Sequence, residues 1–440
     1  MWRIRACAMG RWVLQLLCLG LLLQGSAVAQ VLPTTLEFSF SNPGARSMGL
    51  GGAFVALADD ATAAFANPAG LVQLSRPEIS IEGLSWSYSN PFTEGGRLTG
   101  QPTGILLDNT PGLRTGRSSS DVSGLSFLSF VYPKGRWAVA AYWHQLANFE
   151  QFTETQGLFA EGPGFPNQPP RLLDLRTSTD LGIVNNGVAA AYRLSDAISL
   201  GIGISYAEAD LRLDSSLYVV EDPTLQQSQF GPNPFLPDKR VVSGIVDSQS
   251  ADWSFTLGII GQLSTRWSWA AFYRQGPEFA LRVDTISGPG LVPTVPDGTV
   301  LETEFPVFPL PDVFGLGVAF KPFDALTLAF EWDRVQYSQI LEDEDTSTLE
   351  DGHELHLGIE YVFLGATPII AVRSGIWRDP DHRIDTVGGD LVEQALLRGG
   401  HDELHYAAGL GFVFERFQID LSADFSELVD RVALSAIYNF

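Results

Sequence analysis

The sequence contains only two cysteines, Cys7 and Cys18, and both lie within its first 29 residues. The rest of the chain can therefore form neither a disulfide nor a cysteine-based metal site. Basic residues are also scarce: 27 Lys and Arg stand against 51 Asp and Glu, which gives a formal net charge of −24. Binding to nucleic-acid phosphates needs a basic face, so we expect no nucleic acid among the partners.

Long hydrophobic runs are missing beyond the N-terminal segment, although a helical membrane span would need ~18 consecutive apolar residues. The exception is WVLQLLCLGLLL at residues 12–23, which follows three arginines and precedes the small residues AVA at 27–29. This order is typical of a secretory signal peptide, and we predict cleavage after residue 29. An uncleaved membrane anchor is the alternative, but the run is short for a span and a cleavage site follows it.

Sequence motifs for catalysis are missing as well, since there is no G-x-S-x-G nucleophile elbow and no zinc-protease motif. His353 and His356 in the run HELH fall on opposite faces of a strand, and His401 and His405 are about 13 Å apart along one. We therefore expect no metal site, no cofactor and no enzymatic activity. An outer-membrane hydrolase is the enzyme alternative.

The chain is instead rich in glycine, with 44 residues, and in aromatic residues, at 11%. Stretches such as RFQIDLSADF (416–425), HELHLGIEYVF (353–363) and LHYAAGLGFVF (404–414) alternate between an oily and a small or polar side chain. Such alternation is typical of strands with one apolar face. The predicted strands, fourteen in all, lie near residues 77–88, 121–132, 136–147, 183–194, 198–213, 251–263, 266–282, 311–322, 325–339, 352–363, 368–377, 403–414, 416–425 and 428–440.

Two features favour a membrane barrel over a soluble β-sandwich, which would also alternate. Aromatic residues such as Trp332, Tyr361 and Phe363 lie near the ends of the oily faces, as expected at the two membrane interfaces. Tight connections also alternate with long ones, as short periplasmic turns alternate with long outer loops. We predict an all-β fold, a transmembrane antiparallel β-barrel of about 14 strands in the bacterial outer membrane. The long connections are expected near 89–120, 148–182, 214–250, 283–310, 340–351 and 378–402.

The last predicted strand, RVALSAIYNF, ends on an aromatic residue. Tyr438 and Phe440 lie on the same oily face of this strand. A final strand of this kind resembles the insertion signal of bacterial outer-membrane barrels. The resemblance implies that Tyr438 and Phe440 are recognised by the barrel assembly machinery.

The stretch DDATAAFANPAGL at residues 59–71 precedes the first predicted strand and does not alternate. A carboxylate at Asp59 or Asp60 can cap a short helix that runs through Phe65. Pro68 disfavours helix at the residue before it, so the helix is expected to end there. We interpret the stretch as part of a small N-terminal helical plug in the lumen of the barrel.

Residues 44–71, GARSMGLGGAFVALADDATAAFANPAGL, resemble the FadL family of outer-membrane transporters for long-chain fatty acids and other hydrophobic compounds. The shared pattern is a glycine run among small residues, then ADDA at 58–61 and NPAGL at 67–71, just before the first strand. In that family the segment before the barrel is a hatch that fills the lumen. The resemblance implies a hatch motif formed by Asn67, Pro68, Ala69 and Gly70.

The resemblance and the strand pattern together divide the chain into a signal peptide (1–29), a plug or hatch segment (30–76) and an outer-membrane β-barrel (77–440). They imply passive uptake of long-chain fatty acids or similar hydrophobic compounds through the plugged barrel. Relatives of the same fold that serve protein secretion carry a similar segment, so a secretion-system component that binds exported proteins is the alternative. The expected partners are hydrophobic small molecules, the outer membrane with its lipopolysaccharide, and the barrel assembly machinery, and a monomer is favoured.

Three stretches place Phe and Pro in predicted outer loops, namely Gly157–Pro166, Phe230–Pro237 and Phe305–Phe314. Exposed apolar loop patches often mark binding sites, so these stretches are candidates for collecting the solute. The alternative is that the loops pack on one another. The acidic run at 341–354 is expected to be a solvated outer loop. The alternative is that it binds calcium or the divalent ions that bridge lipopolysaccharide molecules.

Asn185, Asn186 and Gly187 interrupt a segment otherwise suited to a wall strand. A bulge or inward kink there would open the wall sideways. An oily solute would then reach the membrane rather than the aqueous periplasm. The alternative is that the strand starts after Gly187 and that these residues belong to an outer loop.

Overall fold

The computed structural model of the chain describes residues 40–161, 171–172, 174–222, 225–290, 295–341, 347–387, 391–397 and 399–440. The predicted signal peptide lies outside these ranges, as do residues 30–39 of the predicted plug and residues 342–346 of the acidic run. Within the described ranges, no helix is both long enough and apolar enough to cross a membrane.

The wall of the molecule consists of fourteen antiparallel strands, as predicted. Each strand pairs with the next, and the last strand pairs with the first from Glu78↔Asn439 to Tyr88↔Val429, which closes the barrel. The wall strands are β1 (Glu78–Arg97), β2 (Leu113–Lys134), β3 (Trp137–Thr155), β4 (Asp174–Arg193), β5 (Ile198–Tyr218), β6 (Arg240–Gln262), β7 (Trp267–Arg274), β8 (Val313–Phe323), β9 (Leu326–Val335), β10 (Gly352–Phe363), β11 (Ile369–Asp379), β12 (Glu403–Val413), β13 (Phe417–Phe425) and β14 (Val429–Asn439).

The faces of these strands follow the predicted alternation. In β10, Leu357 and Ile359 are exposed on the outside of the barrel, whereas His356 and Glu360 are buried inside it. The exposed aromatic side chains form two belts, as expected for a transmembrane barrel. Near the tight turns they are Tyr132, Trp137, Tyr192, Trp267, Phe323, Tyr361, Phe363, Phe414, Phe417 and Tyr438, and towards the long loops they are Tyr206, Trp253, Phe255, Phe314, Tyr406 and Phe425.

The first six strands are longer than predicted. They contain 19–23 residues each, whereas β7–β14 contain 8–12. Much of the sequence predicted as outer loops at 89–120, 148–182 and 214–250 is therefore strand. Above the membrane the outer face of a strand can be polar, as Ser178 and Asp180 are in β4. An apolar outer face is therefore a poor guide to where these strands end.

Residues 40–76, called the hatch below, lie inside the barrel. The hatch contains two single helical turns, α1 (Ala45–Gly49) and α2 (Ala63–Ala66), and then a 3-10 helix at Pro68–Gln73. Helix α2 ends before Asn67, as predicted, but it starts later than predicted. The reason is that Asp60 accepts hydrogen bonds from the main-chain nitrogen and the hydroxyl of Thr62, at 2.9 and 2.5 Å, instead of capping a longer helix.

The outer loops contain further short elements. One of them, the strand Val283–Ser287, extends the wall by pairing with β6. The others are the strands Leu158–Phe159, Glu278–Ala280, Val300–Glu304, Val307–Pro309, Ser347–Thr348 and Asp385–Thr386, the helices α3 (Gln226–Phe230) and α4 (Leu391–Leu396), and the 3-10 helices Pro237–Lys239 and Tyr337–Leu341.

Candidate functional site: the hatch, the lumen and the wall opening

The predicted hatch motif forms a turn that lies against the wall. The Asn67 side chain accepts a hydrogen bond from the Ala69 main-chain nitrogen at 3.1 Å, and Pro68 occupies the first turn of the 3-10 helix. The amide nitrogen of Asn67 donates to the carbonyl oxygens of Val55 at 3.3 Å and of Ile259 at 3.4 Å. Asn67 therefore caps a helix, joins two parts of the hatch and ties both to strand β6.

Glycines in the wall let the backbone of this turn come close. A Cβ atom at Gly201 of β5 would lie 2.2 Å from the Ala69 nitrogen, and one at Gly258 of β6 would lie 2.1 Å from the Asn67 side-chain oxygen. Both distances are too short for any side chain. The position of the hatch motif therefore depends on the absence of side chains at these two wall positions.

The opposite end of the hatch is held by buried ion pairs. Arg46 of α1 donates two hydrogen bonds of 3.1 Å to Glu360 of β10 and one of 2.5 Å to Asp59. Glu360 also accepts a hydrogen bond of 2.6 Å from Arg373 of β11, which in turn donates to Asp420 of β13 at 2.6 Å. This alternating chain of charges joins three wall strands to the hatch.

Burial and neighbouring charges set the ionisation of the hatch residues. Burial alone would lower the pKa of the Arg46 guanidinium, but Asp59 and Glu360 outweigh it and hold that pKa well above its usual value. Burial raises the pKa of Asp60 above its usual value, although Arg46 and Thr62 oppose the change. Arg46 is thus the fixed positive charge on which the ionic end of the hatch depends.

A second polar cluster continues from the hatch towards the outer end of the barrel. Asp424 of β13 accepts hydrogen bonds from Arg431 at 2.6 Å and from Trp377 at 3.3 Å, and its other neighbour is His405 at 3.0 Å. Arg431 also donates to the hydroxyl of Ser41 in the hatch at 3.2 Å. The inner face of β10–β14 is therefore lined by charged groups that have partners.

The inner face of β3–β5 carries an apolar patch above the hatch. Phe149 of β3 pairs with Leu181 of β4, which pairs with Leu211 of β5, and all three side chains are buried inside the barrel. Ile183 and Leu213 belong to the same buried cluster. An apolar surface of this kind suits an apolar solute better than it suits water or ions.

The wall is incomplete between β2 and β3. These strands pair only from Lys134↔Trp137 to Phe127↔His144, although β2 starts at Leu113 and β3 continues to Thr155. The two strands meet again where the Ser118 hydroxyl donates to the Phe152 carbonyl at 2.8 Å. Between these contacts, residues 119–126 and 145–151 lack mutual pairing and form what we call the side opening.

The side opening begins near the outer edge of the membrane. Its lower edge is about eight residues, roughly 20 Å along tilted strands, above the tight turn, within an apolar band about 25 Å tall. A pocket of about 70 Å³ lies at the opening and is lined by Val122 and Leu125 of β2, Leu146 of β3 and Met48 of the hatch. The pocket therefore lies between the hatch and the wall, at the edge of the opening.

Local features of β3 explain why the opening does not close. The register of β3 against β4 shifts between Gln145 and Ala147, and the Gln145 side chain donates to the Ala147 carbonyl at 2.6 Å. Higher up, the Tyr88 hydroxyl takes the place of the missing strand, because it bonds to both the nitrogen and the carbonyl of Glu150. The main-chain groups released from the β2 ladder thus find other partners.

The structure places Asn185, Asn186 and Gly187 inside β4, one strand away from the side opening. Their pairing with β3 and β5 runs without a register shift, and β4 begins well before them, at Asp174. A Cβ atom at Gly187 would lie 2.1 Å from the Tyr142 ring, so this ring covers the glycine from the neighbouring strand. The glycine is explained by that contact, and the interruption of the wall lies at Gln145–Ala147 instead.

Tyr438 and Phe440 lie where the sequence placed them, on the outer face at the end of β14. Both side chains are exposed, and the Phe440 ring contacts Tyr438 and Phe130. The Phe440 nitrogen donates to the carbonyl of Pro77, which connects the hatch to β1. Their role in assembly stays a prediction.

Residues 162–166 of the first predicted loop stretch lie outside the described ranges. Among the described residues of the three stretches, most apolar side chains are buried within the loops. The phenylalanines Phe159, Phe230, Phe235 and Phe308 are all buried, whereas Phe305 is 72% exposed. Packing between loops, the alternative considered for these stretches, therefore accounts for most of their composition.

An outer pocket of about 280 Å³ lies between the first hairpin and the last two outer loops. Its lining combines Phe92, Ile384 and Leu396 with the basic residues Arg117 and Arg383. His401 and Glu427, 3.3 Å apart, lie on the same lining. The pocket thus offers an apolar floor beside basic groups.

One cluster of possible metal ligands was missed by the sequence analysis. Asp333 of β9 and Glu354 and His356 of β10 each offer a ligand atom, and these atoms lie within 4.8 Å of one another. The alternation of β10 already places Glu354 and His356 on one face, apart from the outward-facing His353. The third member could not be found without the register between β9 and β10.

Three solved structures share this fold. A Pseudomonas aeruginosa FadL homologue matches with a TM-score of 0.63 at 13% identity, over 92% of this chain and 99% of that one. The Pseudomonas putida toluene transporter TodX matches at 0.56 and 15%, over 92% and 100%, and the monoaromatic hydrocarbon channel CymD at 0.54 and 14%, over 92% and 99%. No curated protein sequence matches the chain.

The closed fourteen-strand wall and the occupied lumen define a plugged β-barrel of the transmembrane type. A family model described as outer membrane protein transport protein (OMPP1/FadL/TodX) matches residues 174–361. The chain is similar to this family over those residues, and the match supports the resemblance that its hatch sequence shows.

Proposed function

We propose that this protein carries hydrophobic small molecules, long-chain fatty acids or similar compounds, across the outer leaflet of the outer membrane. The solute binds at the outer pocket, enters the apolar part of the lumen above the hatch, and leaves sideways into the membrane through the side opening. The movement is passive and follows the concentration gradient of the solute.

The observation that supports this route best is the side opening between β2 and β3. It stands beside the buried apolar row of Phe149, Leu181 and Leu211, and its outer edge carries the exposed Leu125. A solute that left along the barrel axis would expose its apolar surface to water, at a cost of about 25 cal/mol per Å². A sideways exit keeps that surface in contact with protein or lipid.

The hatch supports the same route because it occupies the axial one. Its motif residues Asn67, Pro68, Ala69 and Gly70 are fully buried against β5 and β6, and Arg46 holds its other end to β10. We assign these four residues the role of a hatch motif that keeps the axial path shut.

The chemistry of the outer pocket favours a solute with an acidic head group. The lining of the pocket brings Arg117 and Arg383 next to the apolar side chains of Ile384 and Leu396. Arg117 donates to Glu427 at 3.2 Å, so a carboxylate there already binds the basic group. A fatty acid fits this combination, whereas toluene, which related structures are named for transporting, would use only the apolar part.

The test is uptake by cells that lack their own fatty-acid transporter. The wild-type chain is expected to restore growth on a long-chain fatty acid, and Gly124→Trp is expected to abolish it. Gly124 faces the inside of β2 beside the opening, where a Cβ atom would meet no other atom within 4 Å, so the indole can fill the opening without disturbing the fold.

Gly182→Trp is the matched control. A Cβ atom at Gly182 of β4 would also meet no atom within 4 Å, but this residue lies on the outer face of the barrel, away from the opening. It should take up solute like the wild type. Growth on fatty acid in the Gly124→Trp strain, with the folded barrel present in the outer membrane, would exclude the sideways route. Failure of the wild type with both fatty acid and toluene would instead favour the alternative, a secretion-system barrel that binds exported proteins.

We further propose that Tyr438 and Phe440 are read by the barrel assembly machinery. Both present exposed aromatic rings at the end of β14, which must pair with β1 to close the wall. Removal of Phe440 is expected to reduce the amount of folded, heat-modifiable barrel, which gel migration of unheated samples measures directly. Undiminished assembly of the shortened chain would count against this role.

A further inference from the structure

Four ionisable side chains form a compact group on the inner face of β9 and β10. Glu331 pairs across the two strands with His356, and Asp333 pairs with Glu354. All four side chains are buried between the wall and the hatch. Three carboxylates and one imidazole thus share a space from which bulk water is excluded.

The orientation of His356 is fixed by the hatch. Its Nδ1 atom lies 2.7 Å from the carbonyl oxygen of Gly51, and a carbonyl oxygen can only accept a hydrogen bond. Nδ1 therefore carries a proton, and the other nitrogen, Nε2, points towards Glu354 at 3.3 Å and Asp333 at 3.9 Å. A histidine that donates one nitrogen to a backbone carbonyl presents the other as a metal ligand in many metalloproteins.

Basic residues reach this group only from beyond ion-pair distance, as the buried Arg274 does for Asp333 and Glu331. In the part of the chain that the structure describes, the ion pairs of Asp333 and Glu354 involve only His356, and no lysine or arginine nitrogen lies within 4.0 Å of either carboxylate. One oxygen of Asp333 is buried without any hydrogen-bond donor. Buried carboxylates so close together are costly unless a positive charge joins them.

We propose that Asp333, Glu354 and His356 bind a divalent transition-metal ion, with Zn²⁺ as the best fit. Two ligands bound at about 2.1 Å to one ion stand about 2.9–3.4 Å apart at octahedral or tetrahedral angles. The separation of 3.3 Å between His356 and Glu354 meets this requirement. The 3.9 Å to Asp333, and the spread of up to 4.8 Å among the three ligand atoms, require the carboxylates to rotate towards the ion on binding. An imidazole among carboxylates favours Zn²⁺ or a similar ion over Ca²⁺ and Mg²⁺, which prefer oxygen ligands alone.

A small cavity lies beside one of the three proposed ligands, Glu354. It has a volume of about 30 Å³ and is lined by Glu354, Trp377 and His405. That space is enough for about one water molecule or ion. Three protein ligands leave a coordination position open, which a water in this cavity can fill.

Metal binding at this site would hold the hatch as well as the wall. His356 bonds to Gly51 of the hatch, while Glu331 accepts hydrogen bonds from the main-chain nitrogens of Phe54 at 2.7 Å and Val55 at 2.9 Å. An ion that fixes β9, β10 and the His356 ring therefore restrains residues 51–55. The inference is independent of which solute the barrel carries.

The experiment uses the full chain, purified in detergent, stripped with a chelator and titrated with ZnCl₂ by calorimetry. Asp333→Asn keeps the shape of the side chain and removes one ligand charge, so we expect at least about tenfold weaker Zn²⁺ binding, and about a hundredfold for His356→Gln. Hydrogen exchange at residues 51–55 should slow on addition of Zn²⁺ in the wild type and stay unchanged in the double variant. MgCl₂ should not reproduce either effect.

Glu82→Gln is the control, because it removes another buried inward-facing carboxylate, one that accepts a hydrogen bond from Ser126 at 2.8 Å, without touching the proposed site. It should bind Zn²⁺ as the wild type does. The double variant Asp333→Asn with His356→Gln measures the weak binding to exposed acidic loops. Heat-modifiable migration shows that all proteins are folded. If the wild type and the double variant then bind Zn²⁺ equally, the proposal is overturned, and an ion pair between His356 and Glu354 explains the cluster.

Discussion

The two halves of the barrel wall differ in length and in what they present to the lumen. Strands β1–β6 are long and rise above the membrane, and the inner face of β3–β5 carries an apolar patch around Leu181 and Leu211. Strands β9–β13 are short, and their inner face carries ionised groups such as Glu360, Arg373 and Asp420. The hatch lies between these halves and contacts both.

The difference shows that the hatch is held in two unlike ways. On the short-strand side it is bound by directional, charged hydrogen bonds through Arg46. On the long-strand side its motif is held mainly by close backbone packing at Gly201 and Gly258. In the proposed mechanism the charged side is the anchor, and the apolar side leads the solute past the hatch to the side opening.

The largest effect is expected from breaking the anchor with Glu360→Ala. The change leaves Arg46 and Arg373 buried without their shared carboxylate, and removal of one partner from a buried ion pair costs about 3–5 kcal/mol. We expect a loss of that size in the free energy of unfolding, measured by urea titration in detergent, together with higher single-channel conductance.

Asp402→Ala provides the comparison, because Asp402 pairs with Arg378 and both are about half exposed. Exposed pairs contribute about 1 kcal/mol or less, so its unfolding and conductance should resemble those of the wild type. Equal losses in the two variants would mean that the buried chain of charges does not anchor the hatch.

A smaller effect is expected from Gly201→Ala, which crowds the contact between the hatch motif and the long strands. The new methyl group would lie 2.2 Å from the Ala69 nitrogen, and strain of this kind costs about 1–3 kcal/mol. Hydrogen exchange at residues 67–73 should become faster while the wall stays folded. Gly203→Ala, two residues along the same inner face, meets its nearest atom at 3.6 Å and should leave the exchange unchanged.

The smallest effect is expected from Asn67→Ala. This change removes the cap on the 3-10 helix, worth about 1 kcal/mol, and the two weak hydrogen bonds to Val55 and Ile259. We expect a modest rise in single-channel conductance, measured in planar bilayers. Asn67→Ser keeps an acceptor for the Ala69 nitrogen and should recover part of the loss, whereas identical currents in all three proteins would remove the hatch role of this residue.

The parts of this structure that could be predicted from sequence are those with a local signal. The period-two alternation in stretches such as RFQIDLSADF located the wall strands, and Pro68 marked the end of helix α2. The upper ends of β1–β6 could not be located in this way. Once a strand leaves the membrane, its outer face no longer has to be apolar, so residues such as Ser178 and Asp180 read as loop.

The features that depend on two strands at once could not be predicted. The side opening arises where β3 shifts register against β4 at Gln145–Ala147 and β2 shifts register against β1 at Ser126. Neither shift can be recognised from one strand alone. The glycine at position 187 was correctly recognised as unusual for a wall strand. It is required because the Tyr142 ring of the neighbouring strand lies over it, and not because the strand kinks there. The grouping of Asp333 with Glu354 likewise follows only from strand register.

The anchoring contacts of the hatch also have a consequence for the order of folding. Arg46 and Glu360 are 314 residues apart in the chain, and Asn42 donates to Glu331 over a separation of 289. Contacts between such distant parts of a chain are slow to form, because the intervening segment must first be brought together. The hatch precedes the wall in sequence but cannot complete its folding until β9–β11 are in place, so the segment that is synthesised before the barrel is among the last to reach its native structure.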